Sequence, residues 1–294
     1  MYDIQESRNA HTIEEALELL SAHEDAIPVA GGTDVMIRVR ERKIKQAFLV
    51  SVLAIDELKQ ITLDPDGTIR IGAGCSFTQI TEDPLILEKV PMLAAACRQV
   101  GSPQIRNVAT IGGNICNGAV SADSAGPLLA LDAKLVLRSK DGTRTVPLRE
   151  FYTGPGKTVR KPDELLTEIR IPRGSYEGHS GYYIKFGQRK AMEIATLSCA
   201  VNLSLSADKT HLQSVAIAYG VAAPTPVRCP RTEALLAGME IGPELYQTAK
   251  ANILSELQPR ESWRASRELR EQLIRELLVR ALESALQSAG KEVK

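Results

Sequence analysis

The chain has 294 residues, 44% hydrophobic and 24% charged, with 36 Lys and Arg balancing 36 Asp and Glu. That length builds about two domains with a sizeable core, and zero net charge leaves no basic surplus to draw the chain to nucleic acid or an anionic membrane surface. The polar start "MYDIQESRNAHTIEE" lacks the apolar core of a leader and no apolar run could span a bilayer, so a cytoplasmic protein with no nucleic-acid or membrane partner is expected.

"HTIEEALELLSAH" reads as an amphipathic helix: Thr12 and Glu15 form a capping-box pair, and Ile13, Ala16, Leu17 and Leu20 share one face. "AIPVAGGTDVMIRVRERK" predicts a short buried strand, a Gly-Gly turn and a second helix capped by Thr33 or Asp34. "AFLVSV" is another short strand, and "ITLDPDGTIRIGAG" is a hairpin turning at Asp66-Gly67, with Ile69 and Ile71 alternating with polar residues. "ILEKVPMLAAACRQV" is helical around Pro91. "TIGGNICNGAVSAD", from Thr110 to Asp123, reads as a loop, and a short apolar segment, a strand and a turn at Asp141-Gly142 follow it.

"DELLTEIRIP" is a strand ended by Pro172, and the Gly-rich "RGSYEGHSG" sets a domain boundary after residue 174. Beyond it, "GYYIKFGQR", "TLSCAVNLSL" and "LQSVAIAYGVA" predict a three-stranded antiparallel sheet. The chain closes on helices. The last is expected from about Ser262 to Gly290, with Leu269, Leu273, Leu277 and Ala281 on its stripe and Trp263 as its packing anchor. The order of elements predicts an α+β protein of two domains.

The five cysteines (Cys75, Cys97, Cys116, Cys199 and Cys229) form no C-x-x-C pair, and the four histidines stand apart. No disulfide framework, zinc site or iron–sulfur site of the chain's own is expected, so redox chemistry here needs an organic cofactor. Cys116 reads as a small packing residue.

Two Gly-Gly sites remain, Ala30-Gly31-Gly32-Thr33-Asp34 and Thr110-Ile111-Gly112-Gly113-Asn114. Glycine lets a ligand approach without a Cβ in the way, and successive N–H groups in such a turn form an anion-binding nest. Thr33, Thr110 and Asn114 add donors, and a helix start near Thr33 adds partial positive charge. Either site alone is better explained by a tight turn. Together, about eighty residues apart in the chain, they suit a pyrophosphate gripped from both sides. Asp34 is then expected to cap its helix rather than face the phosphate. Asp123 reads equally well as a ribose-hydroxyl acceptor or as a turn former.

"VAGGTDVMIRVR", "IRNVATIGGNICNGAVSAD" and the late "APTPVR" resemble the FAD-binding subunits of molybdenum hydroxylases, and nearly the whole chain is covered. "SPQIRNVAT", "YTGPGK" and "RESWRAS" are most similar to flavin subunits of the bacterial xanthine dehydrogenase type. The resemblance implies a PCMH-type FAD-binding domain over residues 1–174, with subdomains of about 1–60 and 61–174. A smaller α+β flavoprotein domain over 175–294 would follow. It puts Val29, Ala30, Gly31, Gly32, Thr33, Asp34 and Val35 around the FAD pyrophosphate, with Thr110, Ile111, Gly112, Gly113 and Asn114 opposite. It implies Asp123 at the adenosine end, Leu166 near the adenine or flavin edge and Lys185 beside the flavin ring. Val100 stands where some relatives carry phenylalanine, which leaves a contact with FAD open there.

The same resemblance implies a division of labour. A molybdopterin-bearing partner oxidises the substrate, a [2Fe-2S] partner relays electrons, and FAD on this subunit passes them to NAD, in a heterotrimer that dimerises. No catalytic acid–base residue and no metal ligand is assigned here. The alternatives are the same kind of subunit serving carbon monoxide, an aldehyde or an aromatic acyl-CoA, and a nucleotide-binding module without redox turnover.

Overall fold

In the computed structural model, which describes residues 2–291, strand β1 (Ile4–Asn9) leads into helix α1 (Ile13–Ala22). Thr12 Oγ1 accepts the Glu15 N–H at 3.1 Å, and the Glu15 carboxylate accepts the N–H of His11 at 2.7 Å. The expected capping pair therefore forms, with Glu15 reaching one residue further back. Ile13, Ala16, Leu17 and Leu20 are the buried face, as their spacing predicts. β2 (Ala26–Val29), α2 (Val35–Arg40) and β3 (Ala47–Ser51) complete a three-stranded sheet of order β1-β3-β2. All its pairs are parallel, because α1 and α2 carry the chain back between strands. β1 was not foreseen. Its sequence is polar and its face is largely exposed, so pairing with β3 makes it a strand, not its own propensity.

The second sheet has order β4-β5-β10-β6-β7 and is antiparallel. Its strands are β4 (Ile61–Leu63), β5 (Ile69–Gly72), β6 (Lys134–Ser139), β7 (Gly142–Pro147) and β10 (Leu165–Ile171), with a small hairpin of β8 (Tyr152–Gly154) and β9 (Lys157–Thr158) beside it. Between β5 and β6 lie six short helices: α3 (Phe77–Glu82), α4 (Pro84–Lys89), α5 (Pro91–Cys97), α6 (Pro103–Val108), α7 (Ile111–Cys116) and α8 (Ala125–Ala130). Proline at the first turn starts α4, α5 and α6, because a missing N–H costs nothing there.

The Gly-rich stretch expected to be a loop thus contains a helix, α7. Thr110 caps it by accepting the Gly113 N–H at 3.1 Å. Gly112 has a packing reason: a Cβ there would lie 2.6 Å from Ala73, so only glycine lets α7 sit this close to the end of β5.

The third sheet is antiparallel, with order β11-β12-β13-β14. β11 (His179–Phe186), β12 (Leu197–Leu205) and β13 (Leu212–Gly220) are the three expected strands, and β14 (Val227–Arg228) adds a fourth of two residues that no alternation could announce. α9 (Pro230–Leu236), α10 (Pro243–Asn252) and α11 (Arg267–Ser288) share a core with this sheet. α5 and α8 pack on it from the preceding region, joined by Tyr183, Ala200 and Ala218. The chain is α+β throughout.

Two expectations for the C-terminal helix fail for geometric reasons. α11 buries Ile274, Leu277, Leu278, Ala281, Leu282, Ala285 and Leu286, while Leu269 is exposed and Leu273 half-buried. A strict four-residue repeat drifts about 40° per step on a 3.6-residue helix, so its first member rolls off the face. Trp263 is not an anchor: it is 80% exposed. The fully buried Arg270 holds this corner instead, donating to the Thr196 carbonyl and, at 2.8 Å, to Ser262 Oγ.

Candidate functional site

The two Gly-Gly segments meet in space. A Cβ on Gly31 would lie 1.9 Å from the Val108 carbonyl oxygen, so the β2–α2 loop touches the backbone just ahead of α7. Beside this contact opens a cleft of about 350 Å³, within the usual range for small-molecule sites. Ala30 to Val35, Thr110, Gly112, Gly113, Asn114 and Leu166 line it, together with Val100. Val29, Ile111, Asp123 and Lys185 do not. Ile111 is fully buried in the core, and Val29 packs with the cluster around Val39 and Leu49.

The two loops are not equivalent. In the second, every N–H of the first helical turn is used: Ile111 donates to Cys75 O, Gly112 to Ala73 O, Gly113 to Thr110 Oγ1 and Asn114 to Thr110 O. The expected nest is absent there. In the first, the N–H groups of Gly31, Gly32, Thr33 and Asp34 find no protein acceptor among the described residues. Gly31, Gly32 and Thr33 are half-buried and Asp34 is exposed; the later of these N–H groups belong to the first turn of α2, where no intrahelical acceptor exists, and together they leave donors free toward the cleft, as in an anion-binding nest. Gly32 has φ +69°, which suits the turn of such a nest. Facing it, the Cβ position of Gly113 has only Thr110 Oγ1 within 4 Å. Asn114 accepts from Ser124 Oγ at 2.7 Å through its carbonyl oxygen, which leaves its amide N–H groups for the cleft.

Asp34 departs from expectation. It occupies the N-cap position of α2 in a helical conformation and its side chain caps nothing. The carboxyl stays at the cleft, where desolvation by the walls pushes its pKa up and Arg38, one turn on, pulls it down. Arg38 and Arg160 also line the cleft, and sequence reasoning missed both. "IRVRERK" and "TVRKP" look like solvated charge, and nothing local says that residue 160 returns to loops at 30 and 110. The Arg160 guanidinium is fixed by the carbonyls of Lys161 at 2.9 Å and Glu164 at 2.7 Å. Cys116 stands in the wall too, its thiol pushed up to about 11 by burial, so it is a packing group rather than a thiolate.

Asp123 and Lys185 form a buried ion pair at 2.7 Å, with side chains 8% and 7% exposed. Tyr183 donates its hydroxyl to the other Asp123 oxygen at 2.8 Å, and Lys185 also donates to Gln99 O at 3.0 Å. The residue implied for the adenosine end and the residue implied beside the flavin ring are thus in direct contact with each other. Gln99 adjoins Val100, which ties the pair to the Val100 end of the cleft.

The family model for the FAD binding domain in molybdopterin dehydrogenase matches residues 5–174. The chain belongs to this molybdopterin dehydrogenase flavin family. The C-terminal domain model of the CO dehydrogenase flavoprotein matches residues 182–285. The chain is 39% identical over 294 residues to a putative xanthine dehydrogenase FAD-binding subunit of Escherichia coli K12, covering 100% of each. It is 39% identical over 191 residues to the FAD-subunit of nicotinate dehydrogenase from Eubacterium barkeri, covering 63% of this chain and 64% of that one. Its fold is similar to a chain of the carbon monoxide dehydrogenase from Hydrogenophaga pseudoflava, at TM-score 0.92 and 28% identity, covering 98% of this chain and 99% of that chain. This molybdopterin dehydrogenase flavin chain is an oxidoreductase subunit of the xanthine dehydrogenase type.

Among the described residues, no group of three or more His, Cys, Asp or Glu could hold a metal, and no helix is long and apolar enough to cross a membrane.

Proposed function

We propose that this chain is the flavin subunit of a xanthine dehydrogenase-type molybdenum hydroxylase, holding FAD in the cleft between the two Gly-Gly segments. The observation that carries the reading is the row of free N–H groups at Gly31, Gly32, Thr33 and Asp34. They would hold the pyrophosphate as hydrogen-bond donors, with the Asn114 amide and the Arg160 guanidinium adding positive potential. Gly113 would keep the opposite wall clear. Asp34 suits a ligand hydroxyl better than a phosphate, since a carboxylate accepts from one and repels the other. Lys185 would stand at the flavin-ring end with Asp123 beside it, because Gln99 links the pair to the Val100 end of the cleft.

Bound flavin would supply the redox chemistry, accepting electrons and passing hydride. The chain's own residues bind it, orient it and keep charge near it. The finer reading gives a molybdopterin-bearing subunit and a [2Fe-2S] subunit as partners, in a heterotrimer that dimerises, with NAD as acceptor, in the cytoplasm. The resemblance supports it, and so does the identity to the E. coli chain. The equal local identity to a nicotinate dehydrogenase subunit favours, as second reading, the same role in a complex with another substrate. NADH added anaerobically to the assembled complex should bleach bound flavin if NAD is the partner. Retained colour removes NAD from the proposal.

Gly113→Val tests the cradle. A branched side chain would enter open cleft space and crowd Thr110 Oγ1, 3.0 Å from the new Cβ. We expect FAD affinity to fall by about tenfold or more, equal to about 1.4 kcal/mol or more, while the circular dichroism spectrum is unchanged. Equilibrium dialysis reads the affinity, and unchanged FAD binding removes the cradle.

A further inference from the structure

The sequence "RESWRAS" has no part in the cleft, yet it puts the most exposed large apolar side chain of the described residues on the surface, Trp263 at 80%. The Arg264 guanidinium lies over its ring at 4.2 Å. The β11–β12 connection packs alongside: Gln188 Nε2 donates to Arg264 O at 3.4 Å, and Arg270 donates to Thr196 O. Met192 is 62% exposed and Ile194 53%, and Phe186 and Leu269 are exposed as well. Scattered exposed apolar residues are ordinary, but a cluster of them on two adjoining loops is not.

The charge of this corner is one-sided. Residues 186–196 and 260–270 carry six Lys and Arg against three Glu. Glu193 is engaged by Arg189 at 2.7 Å. Arg260, Arg264 and Arg270 have no carboxylate partner among the described residues, and the buried Nε atoms of Arg264 and Arg270 have no hydrogen-bond partner. Burial, and after it repulsion from Arg260 and Arg264, lowers the pKa of Arg270. Elsewhere, Arg70, Arg144 and Arg228 are paired with Glu168, Glu164 and Glu233, while the exposed Arg40, Arg42, Arg98 and Arg280 have, among the described residues, no carboxylate within 4 Å; what sets this corner apart is the exposed apolar cluster beside its arginines. Arg189 and Arg267 are paired with Glu193 and Glu271 and Arg270 is buried, so Arg260 and Arg264 are the guanidiniums left over, and with an exposed Trp and Met beside them they have the composition of an interface core.

We infer that the face made by residues 186–194 and 260–270 docks an acidic, apolar-bearing surface of a partner subunit in the complex. The inference rests on the reading of this chain as one subunit of a multi-subunit hydroxylase. A second copy of the chain fits poorly, because a two-fold contact would set this basic face against itself. An anionic lipid surface fits less well than protein carboxylates. Arg264 is held against Trp263, and a fixed planar donor suits the geometry of a carboxylate.

The test uses the full chain co-expressed with its molybdopterin-bearing and [2Fe-2S] subunits. The complex is recovered through a tag on the molybdopterin subunit, and native mass spectrometry across a salt series reads the stoichiometry of this chain. Trp263→Ala and Arg264→Glu should each weaken retention by about thirtyfold, as hot-spot losses do, and more at low salt for Arg264→Glu. Trp263→Phe should retain most of the binding. The isolated variants should keep wild-type FAD content and melting temperature, which separates a lost interface from a lost fold. If wild type assembles and both variants stay stoichiometric, the interface is overturned while the flavin reading stands. If wild type itself does not assemble, the partner reading and the interface fall together, and FAD content still tests the cleft. An isolated chain that is dimeric and turns monomeric with Arg264→Glu, the complex intact, overturns it in favour of a second copy. Arg264-dependent sedimentation with phosphatidylglycerol vesicles, the complex intact, overturns it in favour of a membrane.

Discussion

Gly31→Ala is expected to open the cleft and lower stability by about 3 kcal/mol, the upper part of the range for overpacking a fitted site. No unusual backbone angle is involved, because Gly31 does not have a positive φ. The distance suffices: the new Cβ would stand 1.9 Å from Val108 O, 2.4 Å from Val108 C and 2.9 Å from Ala109 N. All three are main-chain atoms, so no side chain can turn away. Either the β2–α2 loop lifts or the chain ahead of α7 recedes, and both move the free N–H groups away from Thr110 and Asn114. FAD binding should fall with stability. Gly32→Ala is the control: its Cβ would meet only the side chains of Met36 at 3.2 Å and Val29 at 3.6 Å, so the cost reduces to a left-handed conformation, about 1–2 kcal/mol. Chemical denaturation of both variants checks the order. Equal or reversed losses would mean the two loops are not in contact as described.

Lys185→Met should cost about 3–5 kcal/mol, the penalty for leaving one charge of a buried pair alone. Asp123 would keep only the Tyr183 hydroxyl. Burial raises the Asp123 pKa, and the charge and hydrogen bond of Lys185 pull it down, followed by the bond from Tyr183. Removing Lys185 therefore lifts it further. A carboxyl whose folded pKa exceeds its unfolded value favours folding while protonated. That contribution is complete below the unfolded pKa near ~4 and is lost as pH rises through the folded value. The deficit of Lys185→Met against wild type should thus be widest at neutral pH and narrow on acidification. Asp123→Asn combined with Lys185→Met should recover most of it, since the amide oxygen still accepts from Tyr183 and no charge is stranded. A deficit that is constant with pH and persists in the double variant would show lost packing instead.

What could be read in the sequence was local. The Thr12 cap, the Asp66-Gly67 hairpin and the buried face of α1 follow from residues a few positions apart, and they stand as expected. The alliance of the two Gly-Gly segments was also legible, because glycines beside Thr and Asn are a shared signature. What was not legible depended on which groups the fold had already used. Nothing in "TIGGN" says that Ala73 and Cys75 consume its N–H groups, so the two halves looked alike when only the first has donors to spare. Asp34 looked like a cap because caps are Asp, yet the side chain makes no such bond. Asp123 and Lys185, 62 residues apart, meet because α5 and α8 pack on the third sheet. The size of Trp263 points inward, yet the buried Arg270 fills that role.

The central claim is that the chain grips a pyrophosphate through the free N–H groups of residues 31–34. Titrating apo-protein with FAD and with riboflavin, which shares the ring but lacks the pyrophosphate, tests it most directly. FAD should bind at least about a hundredfold more tightly, since several charge-assisted hydrogen bonds of about 1.5–3 kcal/mol each depend on the phosphates. Gly113→Val should remove most of that difference. Equal affinity for the two flavins would contradict it, and would move the grip to the ring.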